Sequence, residues 1–283
     1  MQFKVHHRTE YHYSRPITNN SNELRLTPPN TESQQCLSSY ISVVPATRLK
    51  SYSDLNGNRV HHFEIPRPHQ RLSIDCFSTI ETQPAVDFSD LPYGSSHDTL
   101  SACCSLEKCH TFLQSSPLVE VTPESWRRAI DIQDHSTDIF QTSYAIMEYI
   151  FEHYTYDPDS TTVTTHANEV LKQQTGVCQD FAHAMTALCR SIHIPTRYVS
   201  GYFFDATRDH ILRGASASHA WVEVYIPHFG WIGLDPTNNK VVDETYIKVA
   251  TGQDYRAVAP IMGSYYGGER SGLVVSVRVD RIE

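Results

Sequence analysis

Of the seven cysteines, at positions 36, 76, 103, 104, 109, 178 and 189, one stands where a thiol could act as a nucleophile. Cys178 follows Gly176 and opens a stretch in which Cys178, Phe181, Ala182, Met185, Leu188, Cys189 and Ile192 recur near a 3.6-residue period, and the pattern stops before Pro195. This predicts a helix with Cys178 in its first turn. Unpaired backbone N–H groups and the positive end of the helix dipole favour a thiolate there, and the same N–H groups can hold an oxyanion. Cys189, three turns further along the same face, has no helix terminus beside it and reads as a packing residue. An arbitrary cysteine on an apolar stripe is more often a small core residue, so Cys178 by itself does not make a site.

A thiol nucleophile needs a base, and the base needs a third group to fix its tautomer. With 16 histidines in the chain, coincidence is cheap. His6, His7, His61 and His62 lie in strand-like segments far from Cys178, while His183 and His193 belong to its helix or that helix's end but point off its face. His219 is different. It opens the alternating run Ala220, Val222, Val224, Ile226 against Trp221, Glu223, Tyr225, followed by Pro227-His228-Phe229-Gly230 and a second apolar run ending at Asp235. This predicts a hairpin with His219 and Asp235 equidistant from residue 227. An odd loop of three or five residues, or a bulge, places them directly opposite on one face; a regular four-residue loop separates them. Asp235 before Pro236 also reads as an ordinary turn-starting aspartate, and only the constellation lifts it.

Cys103, Cys104, Cys109 and His110 supply zinc-type donors, but adjacent cysteines diverge on a helix or strand and a second ligand pair is missing. A core-facing helix is the better reading, and neither a metal nor an organic cofactor is expected. Tyr198, Tyr202, Trp221 and Trp231 flank the motifs, either lining a substrate cleft or packing in the core.

The elements that must position these groups follow from the rest of the chain. Its 283 residues have room for two compact units, and 40% hydrophobic with 19% charged residues is enough to build a packed core. A formal charge of −9 with scattered Lys and Arg argues against nucleic acid as a partner. No stretch reaches the length of a membrane span and the start lacks a signal-peptide pattern, so a cytoplasmic protein without membrane partners is expected, as is an odd set of free thiols.

Residues 1–82 read as strands, near 3–13, 23–27, 37–44, 59–65 and 72–80, with turn chemistry at Pro28-Pro29 and Asn56-Gly57, which predicts a β-sandwich-like N-terminal domain. Pro84, Pro92 and Gly94 mark a linker over 83–100. Residues 101–283 form an α+β domain with a helix over Asp138 to His153, the Cys178 helix, strands at 196–204, 220–226 and 231–235, and a last strand through Leu273, Val275, Val277 and Val279.

The segments Thr175-Gly176-Val177-Cys178-Gln179-Asp180-Phe181-Ala182-His183, Ser218-His219-Ala220-Trp221-Val222-Glu223 and Gly230-Trp231-Ile232-Gly233-Leu234-Asp235-Pro236-Thr237 resemble the motifs of the bacterial transglutaminase-like family, in its order Cys, His, Asp. Residues 1 to about 82 resemble the β-rich domain that precedes the catalytic core in many members. The resemblance implies a papain-like, transglutaminase-like core in which the helix bearing the cysteine packs on an antiparallel sheet. It implies Cys178 as nucleophile, His219 as general base and then acid, and Asp235 as the orienting carboxylate. His193 and Gln253 depart from the glycine and arginine common at those positions. The expected function is cysteine-dependent acyl transfer on peptide or carboxamide bonds through a thioester, as a peptidase or amidase acting on a peptide or protein substrate. Transfer to an amine, as in a transglutaminase, is the alternative, and a non-catalytic binding module the second.

Overall fold

The computed structural model describes residues 1–84, 91–103, 106–205 and 218–282. The N-terminal strands are β1 (Gln2–Thr27), β2 (Gln34–Val44), β3 (Lys50–Ser53), β4 (Arg59–Ile65) and β5 (His69–Thr82). Alternation drives them: in β1, Phe3, Val5, His7 and Thr9 are buried while Lys4 and Arg8 face solvent. The two strands expected at 3–13 and 23–27 are one 26-residue strand. Its register shifts between His12 and Ile17 against β5, where the chain bends without leaving the sheet. Leu24, Leu26, Phe63 and Ile65 then pack with Val43, Leu72, Ile74 and Cys76 in one core. The sandwich-like layers are therefore made by a single sheet curling on itself.

The second half begins with α1 (Pro123–Gln133), α2 (Ile139–His153), α3 (Ala167–Gln173) and α4 (Cys178–Ser191). Asp138 caps α2 by accepting from the Gln141 N–H at 2.8 Å, and Thr122 and Ser125 form a reciprocal capping box on α1. Strands β6 (Thr196–Phe203), β7 (His219–Ile226), β8 (Gly230–Asp235), β9 (Lys240–Val241) and β10 (Tyr246–Gly252) form an antiparallel sheet in the order β9-β8-β7-β6-β10. Helix α4 is buried all round, with the sheet on one side and α1, α2 and α3 on the others. Its apolar residues join Ala220, Val222, Val224, Ile232 and Leu234 in the main core. A helix enclosed in this way cannot shift its N-terminus without disturbing every layer.

The chain's end departs from the expected domain boundary. Strands β11 (Ile261–Gly267) and β12 (Arg270–Arg281) pair with β1, so the tail assigned to residues 101–283 completes the N-terminal sheet instead. The alternation of Leu273, Val275, Val277 and Val279 specified a strand but carried no information about its partner. The two sheets meet through Phe3, Val5, Ile80, Tyr202, Ile247, Val249 and Val277. At this junction His7 Nδ1 lies 2.8 Å from Tyr202 Oη, and burial, with the neighbouring His6, pushes the His7 ring down to about 4, so it stays neutral. Among the described residues no helix is long and apolar enough to cross a membrane.

Candidate active site

Cys178 begins α4 as expected, half-buried at the helix N-terminus. The cap position is Val177, whose side chain offers no hydrogen bond, so no side-chain cap occupies the first-turn N–H groups around the thiol. The helix start is fixed from within. Asp180 Oδ2 accepts from the Val177 N–H at 2.8 Å and from Thr161 Oγ1 at 2.6 Å. Burial nevertheless pushes this carboxyl above the usual range. A Cβ at Gly176 would stand 2.6 Å from Asp180 Cβ, so glycine is required where the chain passes the carboxylate.

Strands β7 and β8 are joined by the three residues Pro227, His228 and Phe229, an odd loop. Its centre is His228 rather than residue 227, with Gly230 facing Ile226 and Leu234 facing Val222. The same register carried one residue further sets Asp235 opposite Trp221, so His219 and Asp235 share a face but sit on a diagonal. The expectation that they lie directly opposite is corrected by that one-residue displacement of the turn. A diagonal of about 7 to 8 Å between backbones is within reach of an imidazole and a carboxylate, and Nε2 of His219 lies 2.7 Å from Oδ2 of Asp235.

Both side chains are fully withdrawn from solvent. Asp235 Oδ2 also accepts from Asn238 Nδ2 and Tyr246 Oη, each at 2.8 Å, and Oδ1 accepts from the Thr237 N–H at 2.9 Å. Burial alone would raise this carboxyl; the His219 charge and the bonds from His219, Asn238 and Tyr246 outweigh it and hold it below the usual range. For His219, burial works downward, but the Asp235 charge and hydrogen bond, with the Cys178 side chain beside the ring, raise it to about 10. With Nε2 committed to Asp235, Nδ1 is the nitrogen left for Cys178, and it has no other hydrogen-bond partner among the described residues. The arrangement thus holds the His219 ring between the Asp235 carboxylate and the Cys178 sulfur, and both neighbours favour its charged form.

Among the described residues the other thiols lack this setting. Cys189 is fully buried, and burial pushes its thiol up to about 12. Cys109 packs with Tyr225 and Trp231, while Cys104 and the side chain of Cys103 lie outside what the structure describes; among the described residues no group of three possible metal ligands comes together. His183 is buried with its Nε2 accepting from the Tyr255 N–H at 3.1 Å, and burial takes it down to about 4. Gln253, one of the two motif departures, donates to Thr111 O at 2.9 Å while its own carbonyl accepts from the buried Arg190 at 2.8 Å. Tyr198, Tyr202 and Trp221 belong to cores, whereas Trp231 lines a cleft of about 390 Å³ with Arg197, Glu223 and Lys248, whose walls include none of Cys178, His219 and Asp235.

Sequence reasoning missed the residues that hold Asp235. Asn238 was legible in principle, because an aspartate opening a turn offers its carboxylate to residues two and three positions on. Tyr246 carried no signal, since it arrives from the far edge strand, separated from β8 by two strands.

The chain matches the model of the bacterial transglutaminase-like N-terminal region over residues 3–81 and that of the transglutaminase-like superfamily core over residues 127–236. An uncharacterised protein of Mycobacterium tuberculosis is 33% identical over 298 residues, spanning 99% of this chain and 92% of the relative. The chain belongs to the transglutaminase-like superfamily. A structure from Cytophaga hutchinsonii with a provisional cysteine-protease designation shares the fold of this superfamily member end to end, with a TM-score of 0.78 at 24% identity over 100% of this chain and 92% of that one. A protein-glutamine gamma-glutamyltransferase of Pseudomonas aeruginosa is 29% identical over 122 residues, 41% of this chain and 18% of that protein.

Proposed function

We propose that this transglutaminase-like protein is a cysteine-dependent acyl-transfer enzyme that hydrolyses peptide or carboxamide bonds, with Cys178 as nucleophile, His219 as general base and acid, and Asp235 as the group that orients His219. The observation that carries this reading is the His219 ring held by Asp235 at 2.7 Å beside a thiol at an uncapped helix N-terminus. The Cys178 sulfur adds to the substrate carbonyl carbon, and the negative charge moves to the carbonyl oxygen, near the first-turn N–H groups of α4. The tetrahedral adduct collapses by breaking the C–N bond, and the imidazolium gives its proton to the departing amine. An acyl thioester on Cys178 and a neutral His219 remain. Water then attacks the thioester carbon while His219 takes its proton. The C–S bond breaks, releasing a carboxylic acid and restoring the thiolate and imidazolium.

A second reading changes only the acceptor: a primary amine attacks the thioester in place of water, giving a new amide. The Pseudomonas aeruginosa relative, by its designation, favours it. The first half-reaction is common to both. Incubating the protein with a glutamine-containing peptide library and a tagged primary amine, with Cys178→Ala as control, separates them by mass spectrometry. Backbone cleavage or side-chain deamidation lost in the control supports hydrolysis. Tag incorporated at glutamine without cleavage replaces hydrolysis by transfer, and inertness of both proteins, with no trapped thioester, leaves a binding module.

A further inference from the structure

The cleft of about 390 Å³ beside Trp231 takes its walls from both halves of the chain. Gln34, at the start of β2, donates from Nε2 to the Lys248 carbonyl at 2.9 Å and accepts from the Lys248 N–H at 2.8 Å, which fixes β10 against the N-terminal sheet. Concave spaces of about 300 to 1,000 Å³ where domains meet are common ligand sites.

Charge is unevenly matched in this cleft. Arg197 and Glu223 stand opposite each other on β6 and β7. Oε2 of Glu223 accepts from Nε of Arg197 at 2.6 Å and lies 2.6 Å from Nη2, while Oε1 pairs with Nζ of Lys248. The Arg197, Glu223 and Lys248 side chains are only 19%, 7% and 17% exposed, so two cations share one carboxylate largely out of water. Burial works upward on Glu223, but the Lys248 and Arg197 charges outweigh it and hold the carboxyl below the usual range. The neighbouring charges leave the excess standing. Asp243 is paired with Lys240 at 2.7 Å, Glu32 is exposed on the rim, and Lys108 adds a cation 4.5 Å over the Tyr225 ring. Arginine carries five N–H donors and lysine three. Among the described residues, Nη1 of Arg197 and the remaining Nζ hydrogens of Lys248 have no hydrogen-bond partner. Withdrawing a second cation costs solvation that one carboxylate does not return; a second carboxylate on the open side of Arg197 and Lys248 restores neutrality.

An apolar wall stands beside these donors. The Arg197 guanidinium lies over Trp231 at 4.3 Å, and Trp231 is itself held edge-to-face by Tyr225 and Phe112, which fixes the plane of the guanidinium fork. Phe229, on the three-residue turn between β7 and β8, is 46% exposed at the same cleft. A bare anion would leave these rings uncovered, whereas an organic acid covers them and meets the donors at once.

We propose that this cleft binds a carboxylate that carries an apolar group, with the charge seated between Arg197 and Lys248 and the apolar group against Trp231 and Phe229. The C-terminal residue of a peptide and a free aromatic acid share this chemistry.

Calorimetric titration of the full chain with N-acetylphenylalanine, its neutral amide and 3-phenylpropanoate tests this. It reads binding alone, so the outcome is independent of whether Cys178 turns over a substrate. Both acids are expected to bind, and N-acetylphenylalanine about tenfold or more tighter than its amide. A further advantage of about tenfold over 3-phenylpropanoate identifies the ligand as a peptide C-terminus, and parity identifies it as a free acid. Lys248→Met should weaken N-acetylphenylalanine about tenfold while leaving the amide unchanged, and Lys248→Arg should keep most of the affinity. Phe229→Ala, at an exposed turn position, should weaken acid and amide alike. The proposal is overturned if neither acid binds, if acid and amide bind equally, or if Lys248→Met binds the acid as the wild type does. Unchanged binding in Phe229→Ala overturns it as well. Circular dichroism confirms folding of each variant; should Lys248→Met not fold, the acid–amide comparison and Phe229→Ala decide the matter.

Discussion

Nε2 of His219 and Oδ2 of Asp235 meet at 2.7 Å across a diagonal of the β7–β8 hairpin, not along one of its rungs. The diagonal leaves Asp235 free to serve two masters. Oδ1 closes the turn by accepting from the Thr237 N–H, while Oδ2 gathers His219, Asn238 and Tyr246. The ordinary turn-starting aspartate and the carboxylate that holds the His219 ring are thus the same residue, using different oxygens.

Asp235→Asn should lower kcat by about 10² to 10⁴ with little change in KM, because the amide no longer enforces the tautomer that leaves Nδ1 for the thiol. The pH profile fixes the cause. Against burial, Asp235 contributes most to lifting His219 to about 10, ahead of Cys178; without it, the alkaline limb of kcat/KM moves to lower pH. An unchanged alkaline limb would separate Asp235 from His219 titration.

Tyr246→Phe removes one donor from Asp235 while keeping the ring that stacks on Phe203 and packs against Trp221. A loss of about tenfold in kcat is expected, equivalent to roughly 1.5 kcal/mol for a hydrogen bond to a charged acceptor. Measured unfolding free energy should fall by no more than the same amount. A loss in KM alone, with kcat intact, would make Tyr246 a cleft residue.

Iodoacetamide labelling followed by peptide mapping should find Cys178 modified at neutral pH on the order of a hundredfold faster than Cys189, whose thiol is sealed from solvent and pushed up to about 12. His219→Ala should remove most of that advantage. Equal labelling of Cys178 in both proteins would mean that His219 does not act on the thiol.

The buried pair also makes stability depend on pH. His219 is raised in the folded chain, so its contribution is complete below about 6.5 and is lost as pH rises through about 10. Asp235 is depressed, so its contribution is present above the ordinary carboxylate range and is lost as pH falls through the folded value. Chemical denaturation should therefore show wild-type stability declining from pH 7 to 10 more steeply than in His219→Gln. Parallel curves would contradict the assignment.

Gly176→Ala places a methyl carbon against Asp180 Cβ. A destabilisation of about 1 to 3 kcal/mol is expected, with slower Cys178 alkylation, since the same carboxylate fixes the start of α4. Unaltered stability would mean that the turn before Cys178 has slack.

The local geometry was legible in the sequence because it rests on short-range rules. The 3.6-residue stripe from Cys178 placed the thiol in the first turn of a core helix, and alternation in residues 219–226 with the turn at 227–230 gave a hairpin whose odd loop keeps His219 and Asp235 on one face. What remained hidden depends on which strands meet. Alternation in β12 fixes a strand and its faces but not whether it joins the sheet of α4 or that of β1, because hydrogen-bonding edges carry no side-chain code. For the same reason nothing in the sequence linked Tyr246 to Asp235, and the one-residue displacement of the turn, set by His228 and Gly230 at positive φ, turned a rung into a diagonal. Residue types and their periods determined which groups this chain brings to a site. Tertiary packing alone decided who holds them there, since a carboxylate that is fully buried must find its donors wherever the fold brings them.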